Sequence, residues 1–305
     1  MKYLLIILGV GVIAFGVFLL ASSDILEFSK DPNDKDPILV EGDEDKEDKD
    51  DPIEEEEVEK ILSEEVLGRS VEGRDIVAYH YGTGSDDVVF IGGIHGGYSW
   101  GTSLLSYEMM EYLESNPEII PENIRVTIIP VLNPDGLSTV VGVEGRFTPS
   151  DVIGNTVIGR FNANKVDLNR NFDCNWQTSG LWRDNVVDAG SEVFSEPESE
   201  ALRDYIENNR PKAVIVYFGA AGGVYSSGCN GDVMPETTRL MNAYADASGY
   251  TAEGYFDSYK ITGDVADWLS KIGVPAISVL LNSHDSADWT QNRKGLEAVL
   301  SFYGN

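Results

Sequence analysis

Five short apolar runs, DIVAYHYG (75–82), VVFIGGI (88–94), IRVTIIPVLN (124–133), AVIVYFG (213–219) and AISVLLN (276–282), recur along the chain with segments of helical spacing between most of them. Several of the runs are continuous rather than alternating, as in strands covered on both faces. The intervening segments, TSLLSYEMMEYLES, EPESEALRDYIENN and ETTRLMNAYADAS, and the terminal DWTQNRKGLEAVLSFY, carry apolar residues at helical intervals. Strands alternating with helices predict an α/β layer fold: one domain, with a mixed, mostly parallel sheet and helices on both faces. The stretch from Leu132 to Trp182 is rich in Asn, Asp and Gly and is expected to be irregular, which makes it the first place to look for a site.

With 305 residues and 42% hydrophobic content, the chain can bury a sizeable core in one domain plus a tail. Leu4–Ala21 is an uncharged apolar run of 18 residues. As a helix it would be about 27 Å long, close to bilayer thickness, so residues 1–23 are expected to be a membrane anchor or a signal peptide cleaved near Ala21 to Ser23. Residues 24–60 hold 18 acidic residues against 5 Lys and read as an extended acidic linker. The globular domain is then 61–305. Lys2 precedes the apolar run and acidic residues follow it, which places the domain outside the cytoplasm: membrane-anchored, or secreted if the run is cleaved. The formal charge of -30 excludes nucleic acid as a partner. Cys174 and Cys229 are the only cysteines. In an oxidising compartment they can form a bridge, the alternative being two buried thiols.

Two readings compete at GGIHGGYSWGT (92–102). GYSWG fits the serine nucleophile elbow, with Ser99 followed in chain order by Asp264 or Asp267 and then His284. A two-glycine pattern in a glycine-rich chain is a weak signal. The other reading centres on His95. GGIHG, LGRSVEGRDI (67–76), VLNPDG (131–136), RFNANKVDLNRNF (160–172), SEPESEAL (195–202) and YKITGDVADW (259–268) together resemble the carboxypeptidase A-like zinc carboxypeptidases, in the family's order, over most of residues 61–305.

That resemblance implies a zinc held by a histidine, a glutamate three residues on and a second histidine ending a later strand, with a glutamate in the last core strand as general base. His95 keeps the first position. Tyr98 stands at the second, Phe218 or Gly219, depending on register, at the third, and Leu280 at the general base. The chain is therefore identified as a degenerate member, without a zinc cofactor and without hydrolysis. The alternative is an active metallocarboxypeptidase or amidase that recruits Asp135 or Asp264 to zinc. The resemblance also assigns Asn169 and Arg170 to a peptide's terminal carboxylate, Arg160 to its last carbonyl and Tyr259 to closure over it, in a local electropositive well. Arg170 has a structural alternative, an ion pair with Asp167 or Asp173. A Cys174–Cys229 bridge would join two loops of the cleft. The implied partner is a peptide, or a cell-wall stem peptide, with a free C-terminus.

Overall fold

A computed structural model of the protein describes residues 62–304. The expected membrane segment and the whole of the acidic linker lie outside them. Among the described residues no helix is long and apolar enough to cross a membrane.

Among the described residues ten strands form in chain order: β1 Leu62–Arg69, β2 Asp75–Tyr81, β3 Asp86–Ile91, β4 Ile124–Ile129, β5 Ser179–Trp182, β6 Asn185–Asp188, β7 Ala213–Gly219, β8 Gly223–Ser226, β9 Thr251–Glu253 and β10 Ala276–Leu281. The helices are α1 Trp100–Ser115, α2 Pro134–Val141, α3 Pro197–Asn209, α4 Pro235–Ser248, α5 Val265–Lys271 and α6 Trp289–Tyr303. Eight strands make one sheet in the order β1-β2-β4-β3-β7-β10-β8-β9, while β5 and β6 pair as a separate hairpin. The centre, β4-β3-β7-β10, is parallel, and β1-β2, β2-β4 and β10-β8 are antiparallel. The sheet is thus mixed with a parallel heart, as the apolar runs imply.

Alternation along β3 divides the interior. Val88 and Phe90 join the core beneath α1, α4 and α6, whereas Val89 and Ile91 join the core beneath α3 and α5. A period of two sends neighbouring side chains to opposite faces, so each face of the sheet has its own apolar layer.

The stretch 132–182 is less irregular than expected. It contains α2, started by the Asn133 side chain, which accepts from Gly136 N at 2.9 Å, with Pro134 in the first turn and Gly142 in the left-handed conformation at the end. These are ordinary helix boundary signals. Beyond α2 the segment proceeds through short 3-10 turns, including Thr156–Arg160 and Leu168–Arg170, and then the β5–β6 hairpin.

Because β3, β7 and β10 run in parallel, their C-terminal ends lie along one edge, where ligands bind open α/β sheets. His95 follows β3, Phe218 and Gly219 end β7, and Leu280 is near the end of β10, registered opposite Phe218.

Candidate functional site

A cleft of about 400 Å³ opens over these strand ends, and His95, Tyr98, Phe218 and Leu280 all line it. The β7 register is resolved by contact: the Phe218 ring lies 5.6 Å from that of His95, so Phe218 and not Gly219 faces the imidazole. Tyr98 is packed edge-on against Trp182 at 5.1 Å. Leu280 completes a largely apolar floor.

His95 itself is buried. Its Nε2 stands 3.3 Å from Asp167 Oδ1, off the direction of a hydrogen bond, and neither ring nitrogen has a hydrogen-bond partner among the described residues. Burial, with the Arg160 guanidinium nearby, pushes the imidazole down to about 4, so it is neutral at pH 7.

This donor set does not fit zinc. A catalytic zinc takes three protein ligands, and phenyl and isobutyl groups offer no lone pair. A phenol is not among the side chains that ordinarily bind zinc, and the Tyr98 ring is packed against Trp182. Among the described residues no group of three His, Cys, Asp or Glu gathers to hold an ion. The two carboxylates considered as substitutes are engaged elsewhere. Asp135 accepts from Ser70 Oγ, Glu72 N and Arg74 Nη1. Asp264 starts α5, accepting from Ala266 N and Asp267 N, and also takes Asn169 Nδ2 at 2.7 Å. His80 is bound in β2 to Thr127 Oγ1, away from the cleft.

The residues assigned to the substrate carboxylate do line the cleft, but they are tied into the protein. Arg160 donates through Nε and Nη2 to Asp167 Oδ2, at 3.0 and 2.7 Å, and lies over the Trp182 ring at 4.5 Å. Burial raises the Asp167 carboxyl, but Arg160, with His95 and Arg170 beside it, more than compensates, and together they hold it well below the usual carboxylate range. Asn169 holds Asp264 through its amide nitrogen and Val265 N through its oxygen. The alternative pairing of Arg170 with Asp167 or Asp173 is not formed: Asp167 serves Arg160, and Asp173 pairs with Lys271. Arg170 instead donates Nε and Nη2 to Leu181 O and Nη1 to Asn169 O. It is only 1% exposed, and no carboxylate lies within ion-pair distance of it among the described residues. Three of its five donor N–H groups are thereby used and two remain.

Gly263 shapes this corner. It has φ +66°, and a Cβ there would come 2.1 Å from Arg170 O. Gly263 N donates to Cys174 O, and Phe172 N donates to Gly263 O, which joins the Arg170 segment to the one preceding α5. Tyr259 lies on that second segment, edge-on to Phe256 at 5.1 Å, within the cleft lining.

The cleft is not a simple electropositive well, because Asp264 and Asp267 share it with the arginines. Burial, and the neighbouring Asp264 carboxylate, raise Asp267 to about 7. Burial raises Asp264 as well. Asp267 accepts from Gly228 N, on the loop that holds Cys229. Cys174 and Cys229 are joined by a disulfide, which fastens the segment after Arg170 to the loop after β8.

The serine reading is met halfway. Ser99 Oγ is 2.9 Å from His284 Nδ1, but Asp264 and Asp267 are bonded to Asn169 and Gly228 and do not support this imidazole. Ser99 has φ -117°, without the strain of a nucleophile elbow, and is buried. Trp182, the aromatic wall beside Arg160, was not singled out by the sequence; its one signal was a pair of tryptophans, Trp176 and Trp182, in a polar stretch.

Comparison with known proteins agrees with this arrangement. The zinc carboxypeptidase family profile matches residues 55–303. Bacteriocin BCN5 of Clostridium perfringens is 34% identical over 246 residues, covering 79% of this chain and 25% of the bacteriocin. The human carboxypeptidase N catalytic chain is 32% identical over 119 residues, 35% of this chain and 25% of that protein. The chain thus spans about a quarter of the length of these curated relatives. Among solved structures, thrombin activatable fibrinolysis inhibitor superposes with TM-score 0.64 at 16% identity, over 81% of this chain and 70% of that one. Murein-tripeptide amidase of Escherichia coli superposes with TM-score 0.55 at 19% identity, over 78% and 92% respectively. With the family profile matched over nearly the whole described domain, and with three of the four positions of the metal chemistry held by Tyr98, Phe218 and Leu280, the chain belongs to the zinc carboxypeptidase family as a degenerate member.

Proposed function

We propose that the domain binds peptides by their free C-terminal carboxylate and does not hydrolyse them, and that residues 1–23 tether it to the outer side of a membrane through the acidic linker. One observation carries the reading: Arg170 is a buried guanidinium in the cleft with no carboxylate within ion-pair distance among the described residues. Burying a charge is costly unless it is paired, and backbone carbonyls compensate only in part. An incoming carboxylate supplies the missing anion and can take the two remaining N–H groups together. Asn169 and the α5 start fix the position of this arginine segment, and Tyr259 lines the space above it.

Hydrolysis lacks its parts. With Phe218 and Tyr98 in place of ligands no metal-activated water forms by the family's route, and Leu280 cannot accept a proton. The likeness in fold to murein-tripeptide amidase supports cell-wall stem peptides as the class of terminus bound. The test is a calorimetric titration of one N-acetylated peptide as free acid and as C-terminal amide. The acid is expected to bind and the amide to lose at least about tenfold, roughly one charge-assisted hydrogen bond. Equal affinities would remove the reading, whatever an Arg170→Lys variant does to folding.

A further inference from the structure

Ser99 stands immediately before α1, in the position where a serine ordinarily caps a helix, yet its side chain makes no cap bond. Its hydroxyl is directed to His284 Nδ1 instead, 185 residues away in the chain. Three further features seat the same residue: a backbone bond, a ring contact and a glycine that leaves room. Gly101 N donates to His284 O at 3.0 Å. The Tyr98 ring lies 4.2 Å from the His284 ring, centroid to centroid. Any Cβ at position 219 would come 2.5 Å from His284 Nδ1, so glycine is what leaves the ring its seat. The result is a half-buried cleft histidine fixed at one nitrogen, while Nε2 has no hydrogen-bond partner among the described residues. Fixing Nδ1 fixes both the ring orientation and the role of the other nitrogen.

Resting on the terminus-binding reading, we propose that His284 Nε2 hydrogen-bonds a backbone amide group of the bound peptide that lies inward of the amide carrying its last residue, with Ser99 as the positioning residue that holds the ring. The ligand class is then a peptide of three or more residues rather than a single acylated residue. The cleft volume of about 400 Å³ agrees, since it exceeds what one small terminal residue fills. A neutral imidazole suits a backbone group, which offers one donor and one acceptor and carries no charge. Burial, with Arg183 and Arg160 nearby, keeps His284 on the neutral side of its usual range. A nucleophilic role for Ser99 is disfavoured by its burial, its unstrained backbone and the lack of any carboxylate bonded to Nε2.

Two substitutions separate the ends of the ring. His284→Asn keeps an amide near Nδ1, and so the Ser99 contact, but has nothing at Nε2. His284→Gln places an amide near Nε2. The probes are N-acetyl-tetraalanine, its C-terminal amide and N-acetyl-alanine, titrated by calorimetry. The wild type is expected to bind the tetrapeptide acid about tenfold more tightly than N-acetyl-alanine, the worth of one neutral hydrogen bond. His284→Asn should lose that gain while leaving N-acetyl-alanine affinity and the thermal midpoint unchanged. His284→Gln should retain most of it, and Ser99→Ala should lose part of it. A His284→Asn variant with wild-type tetrapeptide affinity, no length dependence in the wild type, or fluorophosphonate labelling of Ser99 would each overturn the proposal. Length dependence shared by acid and amide would sink the carboxylate reading alone, and no binding of either acid would sink both.

Discussion

The ring of Phe218 lies 5.6 Å from that of His95, where a second imidazole would have to stand for the two to share a metal ion. The fold that carries these side chains is shared with solved carboxypeptidase structures. The double variant Tyr98→Glu/Phe218→His is expected to retain about one zinc per chain after dialysis, and the wild type none, measured by elemental analysis. A wild type with stoichiometric zinc, or a double variant that folds and remains metal-free, would go against this.

Asp167 is fully buried and doubly bonded to Arg160. Asp167→Asn leaves that guanidinium without its anion and is expected to cost about 3–5 kcal/mol in urea unfolding. The sign with pH follows from a folded value depressed below the unfolded one near 3.9. Stability from this carboxylate is fully present above about pH 4 and is lost as pH falls toward the folded value. The wild-type urea midpoint should therefore drop below pH 4 more steeply than that of the variant.

Asp267 has the opposite sign. Its folded value is raised to about 7, so the unfolded chain loses its proton first as pH rises from about 4, and stability declines until about pH 7. Asp267→Asn still offers an oxygen to Gly228 N. It is expected to be near neutral at pH 4 and stabilising by on the order of 3 kcal/mol at pH 8, read from urea midpoints. Equal effects at the two pH values would contradict this.

The disulfide closes a sequence separation of 55 residues. Replacing both cysteines by serine should cost about 4 kcal/mol in the chain-entropy treatment. That is a drop of roughly 10 °C in thermal midpoint for a domain of this size. Peptide affinity should fall with it, because the bridge joins the Arg170 segment to the loop that bonds Asp267. An unchanged midpoint would show that the bridge closes nothing of consequence.

The sheet and the outline of the cleft were legible because both rest on local patterns: the apolar runs became β2, β3, β4, β7 and β10, and their parallel centre put His95, Phe218 and Leu280 on one edge. The helix α2 was also legible in principle from Asn133 and Pro134, but the Asn-rich and Gly-rich stretch around it concealed the signal. Pairings across irregular backbone were not legible. Asp167 serves Arg160 rather than Arg170 because two successive 3-10 turns, which have no side-chain period to read, decide which guanidinium faces it. Ser99 and His284 occurred in the chain order of a hydrolase, yet their contact has another character: the serine is buried behind the histidine, which only the packing of α1 against the loop after β10 reveals.

The most direct test is titration of an N-acetylated peptide acid in excess chelator and again in excess zinc, with the peptide recovered and weighed by mass spectrometry. The expected result is one affinity in both buffers and an intact peptide. Binding that vanishes with the chelator, or a peptide shortened by its last residue in zinc, would contradict a metal-free reader of C-termini.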